Sequence, residues 1–304
     1  MKFAINYSEP AAQLQATSTI QADYFKCPAW SDVVKKAQQQ LPSYVHLPLI
    51  VGQGDGRVID SEENRPTDWQ RFLPLLELTH TPYINIHLLT KASDYPFIPV
   101  SSTNKYHIEQ VTENLIKDVT AVCKRFGAEN VIVENIYDDA GANLRIGLLP
   151  QVTQAVVQET GAGLLLDLAH AYLAAAFLEV DAREYTNALP TNQIRELHIA
   201  GIQPITGRWL EIFSAHLDAQ QIESRFKNRM MDHLPLSDND WEFVGWALSE
   251  IHSGRWAKPW LVALEYGGVG PLWENLTEKE VLTEQVPRLQ KMVQPTPQTL
   301  YKQR

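Results

Sequence analysis

The chain has 304 residues, of which 44% are hydrophobic and 20% are charged, and its formal net charge at pH 7 is −10. This composition is typical of a globular protein, and the length suits one large barrel domain. Because nucleic-acid binders normally carry a basic patch, the acidity argues against nucleic acid as a partner. No apolar run approaches the roughly 20 residues needed to cross a bilayer, which argues against a membrane protein.

The amino terminus and the cysteines predict a cytoplasmic location. The first seven residues are too short and too polar for a signal peptide, because Ser8-Glu9-Pro10 interrupts them. Cys27 and Cys123 are far apart and form no CxxC pair. A disulfide framework is therefore excluded, and a thiolate metal site is disfavoured.

Short apolar runs alternate with amphipathic stretches along the chain. Strands are predicted at 2–7, 22–27, 44–49, 83–88, 130–135, 163–167, 195–199 and 260–265. Helices are predicted at 31–40, 69–78, 108–126, 148–159, 240–252 and 278–292. The interval 203–258 lacks a clear strand except near 231–234, so it is expected to hold an extra helix and an active-site loop.

This alternation predicts a parallel α/β sheet, and eight such units close a (β/α)₈ TIM barrel. A doubly wound open sheet is less favoured, because no glycine-rich phosphate loop follows the first strand. We expect a single domain over residues 1–293 and a tail over 294–304. The glycines of Gly52-Gln53-Gly54-Asp55-Gly56 predict a mobile loop rather than a nucleotide cradle, because no Lys-Ser/Thr helix follows.

Metal-capable side chains recur where the predicted strands end, which is where barrel enzymes place their active sites. A single Asp at such a position is often only a helix N-cap, but burying many carboxylates and imidazoles without a cation would be costly. The candidate metal ligands are His46, His87, Glu134, Asp167, His170, His198, Asp232, His233 and Glu265. Six of these end strands, and we expect those six to converge on one cavity.

Imidazole and carboxylate ligands without thiolate indicate Fe(II), Mn(II) or Zn(II). The candidates exceed the ligand set of one ion, so two or three ions with bridging carboxylates are expected. Glu134 and His198 are the predicted catalytic residues. Asp238 is the predicted N-cap of the helix near Asp240, which leaves Asp232 and His233 in the preceding loop for an outer ion or a proton relay.

At these residues the chain resembles the xylose-isomerase-like TIM-barrel family of uncharacterised proteins that includes the methanobactin biosynthesis B protein. The resemblance extends over residues 3–273. It is carried by VHLPLIVGQGDG (45–56), INIHLLT (84–90), VIVENIY (131–137), TGAGLLLDLAHAYLAA (160–175), RELHIAG (195–201), MDHLPLSDNDW (231–241) and LVALEYG (261–267).

The resemblance implies a multinuclear non-haem iron oxidase or oxygenase that modifies cysteines of a ribosomally made peptide. It also implies metal-ligand roles for His46, His87, Glu134, Asp167 and His198, and for Glu265 as the carboxylate of the final strand. Iron is the favoured metal, with manganese or zinc as alternatives. A precursor peptide and a small partner protein are the expected partners.

Two segments depart from the family pattern. The family usually has asparagines after the aspartate of LLLD, whereas Ala169-His170 stand here. The family's Asp-Thr-His-Asp loop reads Met230-Met231-Asp232-His233 in this chain. These departures leave the ligands of an outer ion open.

Two other functions remain open at the level of sequence. One is a divalent-metal isomerase, epimerase or hydrolase of the xylose-isomerase-like type, in which Glu134 and Glu265 hold the metal. The other is a non-catalytic, metal-loaded protein that binds a peptide. The fold alone does not choose among these functions.

Overall fold

The computed structural model describes residues 1–137 and 141–295 and divides them into two compact units. The first unit contains Met1–Tyr44 and the described residues from Glu196 onward. The second unit is Val45–Arg195. Residues 296–304 of the predicted tail lie outside the described residues.

The strands follow one another at short intervals along the chain. They are β1 (Lys2–Asn6), β2 (Tyr24–Pro28), β3 (Ser43–His46), β4 (Leu49–Val51), β5 (Ile59–Asp60), β6 (Arg65–Pro66), β7 (Ile84–Leu88), β8 (Val131–Glu134), β9 (Gly163–Asp167), β10 (Ile194–Ile199), β11 (Gly201–Pro204), β12 (Met230–Leu234) and β13 (Leu261–Leu264).

Helices separate most of these strands. They are α1 (Glu9–Ala16), α2 (Ser31–Ala37), α3 (Trp69–Thr79), α4 (Lys105–Phe126), α5 (Pro150–Thr160), α6 (Leu168–Leu178), α7 (Ala182–Ala188), α8 (Gly207–His216), α9 (Ala219–Gln221), α10 (Asp238–His252), α11 (Pro271–Leu276) and α12 (Lys279–Val293). The helices of the described chain include none whose length and hydropathy would let it cross a bilayer.

Each of the eight predicted strands coincides with an observed strand. In the interval 203–258, the structure has the predicted extra helix, α8, and the antiparallel pair formed by β11 and β12. Asp232 and His233 therefore lie on a strand, where the sequence allowed a strand near 231–234, and not in the loop that was predicted to precede the helix. The short strands β5 and β6, which were not predicted, pair antiparallel with each other, and β5 also pairs antiparallel with β4.

In the first unit, β1 pairs in parallel with β2 on one side and with β13 on the other. β13 also pairs in parallel with β10, with His198 opposite Ala263. α12 packs against β1 and α1. Nearly all residues of β1, β10 and β13 are buried, which agrees with their nearly continuous apolar sequences.

In the second unit, β7 pairs in parallel with β4 and with β8, and β8 pairs in parallel with β9. All four residues of β8, Val-Ile-Val-Glu, are buried. A carboxylate at the end of a fully buried strand must find polar partners nearby. The helix α4 packs against β4 and β8 and against the neighbouring helix α5.

The amino terminus of α10 differs from the prediction. The N-cap is Ser237, not Asp238, and a capping box links Ser237 to Asp240. The Ser237 side chain accepts a hydrogen bond from the Asp240 backbone N–H, and the Asp240 carboxylate accepts from the Ser237 backbone N–H. Asp238 is instead the first helical residue.

We therefore expect Ser237→Ala to destabilise the protein by about 1 kcal/mol, because the helix loses its capping side chain. Asp238→Ala is the matched control and should cost less, since Asp238 contributes only its charge near the helix dipole. The measurement is the free energy of unfolding in urea for both variants. An equal or larger loss in Asp238→Ala would contradict the assignment of Ser237 as the N-cap.

Candidate metal centre

Glu134 lies at the centre of a group of side chains in the second unit. The parallel register of β7 and β8 sets His87 beside Glu134 as its direct partner. Glu134 Oε2 lies 3.1 Å from His87 Nε2 and 3.5 Å from His46 Nε2, and Glu134 Oε1 lies 3.5 Å from His170 Nδ1. With Asp167, these residues form the Glu134 cluster. The structure thus brings together five of the nine predicted ligands.

The ring of His87 is oriented by the backbone of β4. Its Nδ1 lies 3.0 Å from the Leu49 carbonyl oxygen and, because a carbonyl only accepts, must donate a hydrogen bond to it. In the neutral ring, Nε2 then carries a lone pair and lies 3.1 Å from Glu134 Oε2. Within the described part of the chain, Glu134 Oε2 makes no hydrogen bond.

His170 is oriented in the same way by the backbone after β8. Its Nδ1 lies 2.8 Å from the Asn135 carbonyl oxygen, which leaves Nε2 as the ligand atom. That Nε2 lies 3.9 Å from Asp167 Oδ2. Asp167 is also the N-cap of α6, because its Oδ1 accepts the His170 backbone N–H at 2.8 Å. Asp167 thus both caps a helix and faces His170.

Asn135 and Asn85 support this arrangement without being predicted from the sequence. The buried Asn135 side chain exchanges two hydrogen bonds of 2.9 Å with the backbone of Asp167. Asn85 accepts from the Leu47 N–H, which fixes its amide so that Nδ2 faces His46 Nε2 at 3.3 Å. In the sequence, the only indication of these two residues is that each is an asparagine at or next to one end of a strand.

A second group of polar side chains lies in the first unit around Glu265, the residue after β13. It contains the predicted residues His198, Asp232, His233 and Glu265, together with Lys26 and Glu196, which the sequence analysis missed. We call this group the Glu265 cluster. Glu196 and His198 are two residues apart on β10 and therefore share one face of the strand. Lys26 interrupts the apolar run of β2. Each of these two patterns is visible in the sequence and could have indicated the missed residues.

His198 is fully buried between two carboxylates. Its Nε2 lies 2.8 Å from Glu196 Oε1, and its Nδ1 lies 3.0 Å from Glu265 Oε1. Burial lowers the pKa of His198, but the charge of Glu265 and the hydrogen bonds with Glu196 and Glu265 outweigh that effect and raise it to about 10. His198 is therefore an imidazolium at neutral pH in the metal-free chain.

Glu265 is held by cations on two strands. Lys26 Nζ contacts Glu265 Oε1, the same oxygen that faces His198. Burial alone would raise the pKa of Glu265, but the charges of His198 and Lys26 hold that pKa well below its usual value. Glu265 is thus ionised and paired.

Asp232 and His233 lie at the edge of the Glu265 cluster. His233 Nε2 is 3.9 Å from Asp232 Oδ2 and 4.0 Å from Glu265 Oε2, and the ring makes an edge contact with Trp273. The backbone of His233 is left-handed, with a φ of 58°. A left-handed histidine is uncommon and costs about 1 kcal/mol or more, so the surrounding structure must hold it in place.

A protein-family model matches about the middle half of the chain. Residues 80–222 match the model of a family described as RiPP precursor modification enzyme MbnB/TglH/ChrH. The predicted family resemblance is confirmed. The matched region contains His87, Glu134, Asp167, His170 and His198, whereas His46, Asp232, His233 and Glu265 lie outside it.

A curated relative, the UPF0276 protein of Paraburkholderia phytofirmans, is 46% identical to the chain over 48 residues. That stretch is 16% of this chain, and the chain spans 16% of the length of the relative.

Solved structures establish the fold class. A xylose isomerase domain containing protein from Salmonella typhimurium superposes with a TM-score of 0.53 at 14% identity, over 96% of this chain and 97% of that chain. A xylose isomerase-like TIM barrel/4-hydroxyphenylpyruvate dioxygenase fusion protein gives the same TM-score and identity, over 100% of this chain and 44% of that chain. The predicted xylose-isomerase-like TIM-barrel fold is confirmed, and family and fold together indicate an enzyme.

The pKa of His198 predicts how stability depends on pH in chelator-treated protein. Because folding raises this pKa from 6.5 to about 10, the stabilisation is fully present below pH 6.5 and is lost as the pH rises through about 10. The free energy of unfolding should fall over that range by up to about 1.4 kcal/mol per pH unit. His198→Gln should show a flatter profile in urea unfolding. Parallel profiles for the two proteins would contradict the buried imidazolium.

Proposed function

We propose that the chain is a metal-dependent oxidative enzyme that modifies cysteine residues of a ribosomally made precursor peptide, with dioxygen as the oxidant. The family match over residues 80–222 supports the class of substrate, and the Glu134 cluster supports the metal. A small partner protein that brings the peptide is part of the proposal.

One observation carries the metal-dependent part of this proposal. His87 Nε2 and Glu134 Oε2 face each other at 3.1 Å, although the Leu49 carbonyl already takes the Nδ1 proton of the ring. In the neutral ring both atoms carry lone pairs and repel each other, and the carboxylate is buried, so water screens the repulsion poorly. A cation bound by both atoms converts this repulsion into attraction.

The donor set fits a transition metal. Ligating histidines usually donate their other ring N–H to a backbone carbonyl or carboxylate, and His87 and His170 both do so. Imidazole nitrogen with carboxylate oxygen suits Fe(II), Mn(II) and Zn(II), and we propose iron. Glu134, Asp167 and His170 offer ligand atoms that all lie within 4.8 Å of one another.

The two oxygens of Glu134 face different partners, as a bridging carboxylate requires. Oε2 lies near Nε2 of His46 and of His87, whereas Oε1 lies beside the ring of His170, whose ligand atom is Nε2 because Nδ1 donates to the Asn135 carbonyl. We propose that Glu134 is shared by two ions, with His46 and His87 on one and with Asp167 and His170 on the other. A third ion would take its ligands from the Glu265 cluster, where Asp232 and His233 adjoin the Glu265 carboxylate.

Bound iron would supply the activation of dioxygen that side chains alone lack. The residues of the chain orient the ligand rings and manage protons. Glu134 places a carboxylate among the imidazoles of β3 and β7, and His198, as a buried imidazolium, holds a proton next to Glu265. The catalytic roles proposed for Glu134 and His198 rest on these positions.

The test is to purify the protein anaerobically without chelator, measure its metals, and supply a cysteine-containing peptide encoded next to its gene. We expect two or three ions per chain, consumption of dioxygen and a mass change of the peptide. Turnover of a sugar without dioxygen would support the isomerase alternative instead. Tight peptide binding without turnover would support the binding-protein alternative.

Glu134→Ala should lose about one ion per chain or more, because both proposed ions share this carboxylate, and oxygen consumption should fall with it. His107→Ala is the matched control, since His107 hydrogen-bonds Ser102 outside both clusters. Elemental analysis of both variants gives the result. Wild-type metal content in Glu134→Ala would rule out the bridging role.

His170 and His233 lie in the two segments where the chain departs from the family pattern. Replacing each of them tests how many metal ions the site holds. We expect His170→Ala to lose metal together with activity, because its Nε2 faces Asp167. His233→Ala should lose only an outer ion, since its Nε2 is 4.0 Å from Glu265. Metal stoichiometry and oxygen consumption are the measurements. Full occupancy and wild-type turnover in both variants would make these histidines structural.

A further inference from the structure

A buried carboxylate outside both clusters organises the loop that follows β4. Asp118 lies on α4 and is fully buried. Its Oδ2 accepts hydrogen bonds from the backbone N–H groups of Gly52 at 3.0 Å and Gly54 at 2.9 Å, and its Oδ1 accepts from Gly56 at 2.7 Å. We call Gly52–Gly56 the glycine loop. Charge-assisted bonds of this kind are about twice as strong as neutral ones.

The glycines allow this geometry. Their φ angles of 144°, 78° and 80° are ones that other residues rarely adopt, and they turn three alternate N–H groups toward one carboxylate. A Cβ on Gly52 would lie 2.3 Å from the Leu89 carbonyl oxygen, so the loop packs directly against the end of β7. The loop that the sequence predicted to be mobile is therefore tied to α4 and β7.

This loop is continuous with the strand that orients His87. Immediately before it, Val51 O accepts the Leu89 N–H at 2.9 Å. Two residues earlier, Leu49 O accepts the Nδ1–H of His87. The Tyr95 hydroxyl also donates to Gly52 O. The three residues of β4 thus run between the anchored loop and the carbonyl that sets the tautomer of a proposed metal ligand.

We infer that Asp118 is a positioning residue for the metal centre. By holding the glycine loop against α4, it fixes β4 and therefore the Leu49 carbonyl, which keeps His87 Nε2 aimed at Glu134. Asp118 touches neither substrate nor metal ligand. The inference rests on the proposed function only in taking His87 as a ligand.

The experiment compares metal-free wild type, Asp118→Ala and Asp118→Asn. Asp181→Ala is the matched control, because Asp181 also accepts two backbone N–H groups, at the start of α7 and outside both clusters. The first readout is the tautomer of the His87 ring, measured by ¹⁵N NMR on histidine-labelled protein and assigned with His87→Gln. The second is the dissociation constant for Co²⁺, followed by visible absorption. Urea unfolding gives the stability of each variant.

We expect wild type and Asp181→Ala to show His87 with the proton on Nδ1 alone. Asp118→Ala should show a mixture of tautomers and bind Co²⁺ about tenfold or more weakly, as loss of support for a ligand usually does. Asp118→Asn keeps one acceptor oxygen and should be intermediate, which covers the case in which Asp118→Ala does not fold.

Unchanged His87 tautomer and Co²⁺ affinity in folded Asp118 variants would overturn the inference. The same would follow if Asp181→Ala weakened Co²⁺ binding equally at equal stability. If wild type bound no Co²⁺, the proposed metal function would fail by itself, while the ring spectra would still decide whether Asp118 positions His87.

Discussion

The buried Glu134 carboxylate, surrounded by imidazoles, is the constraint on which the second unit depends. An ionised carboxylate inside a sheet is costly unless its oxygens meet positive charge or donors. Here the β7–β8 register fixes His87 beside it, and backbone carbonyls of Leu49 and Asn135 take the outer N–H groups of His87 and His170. The strand register and the tautomers of the two rings therefore act together to determine which ring atoms lie near Glu134.

The strands and the charged residues at their ends could be predicted from the sequence, because parallel strands that are covered on both faces have unbroken apolar sequences. A charged residue that ends such a run stands out, which is how Glu134 and Asp167 were found. Strands of two residues, such as β5 and β6, carry no periodicity and could not be predicted. The N-cap was misassigned because Ser237 and Asp238 are both good caps, and only the reciprocal bond with Asp240 decides between them.

The supporting residues were harder to predict for a different reason. Asp118 sits 62 residues or more along the chain from the glycines it binds, and the amphipathic pattern of α4 gives no sign of that contact. In the sequence, Lys26 is only a charged residue within an apolar strand, and the structure is needed to show that it pairs with Glu265. A candidate metal ligand can be recognised from its own residue type and position in the sequence. The residues that support it can be identified only from the contacts that the folded chain makes. The fold shared with solved structures sets where the strands end but not which chemistry follows.

The Glu265 cluster has a consequence for the binding of a metal ion. In the metal-free chain the ammonium of Lys26 and the imidazolium of His198 balance the negative charges of Glu196 and Glu265. The charges of these four side chains sum to zero, so they compensate one another inside the first unit without a metal ion. A cation that bound Glu265 would therefore compete with the Lys26 ammonium and with the proton on His198 for the same carboxylate.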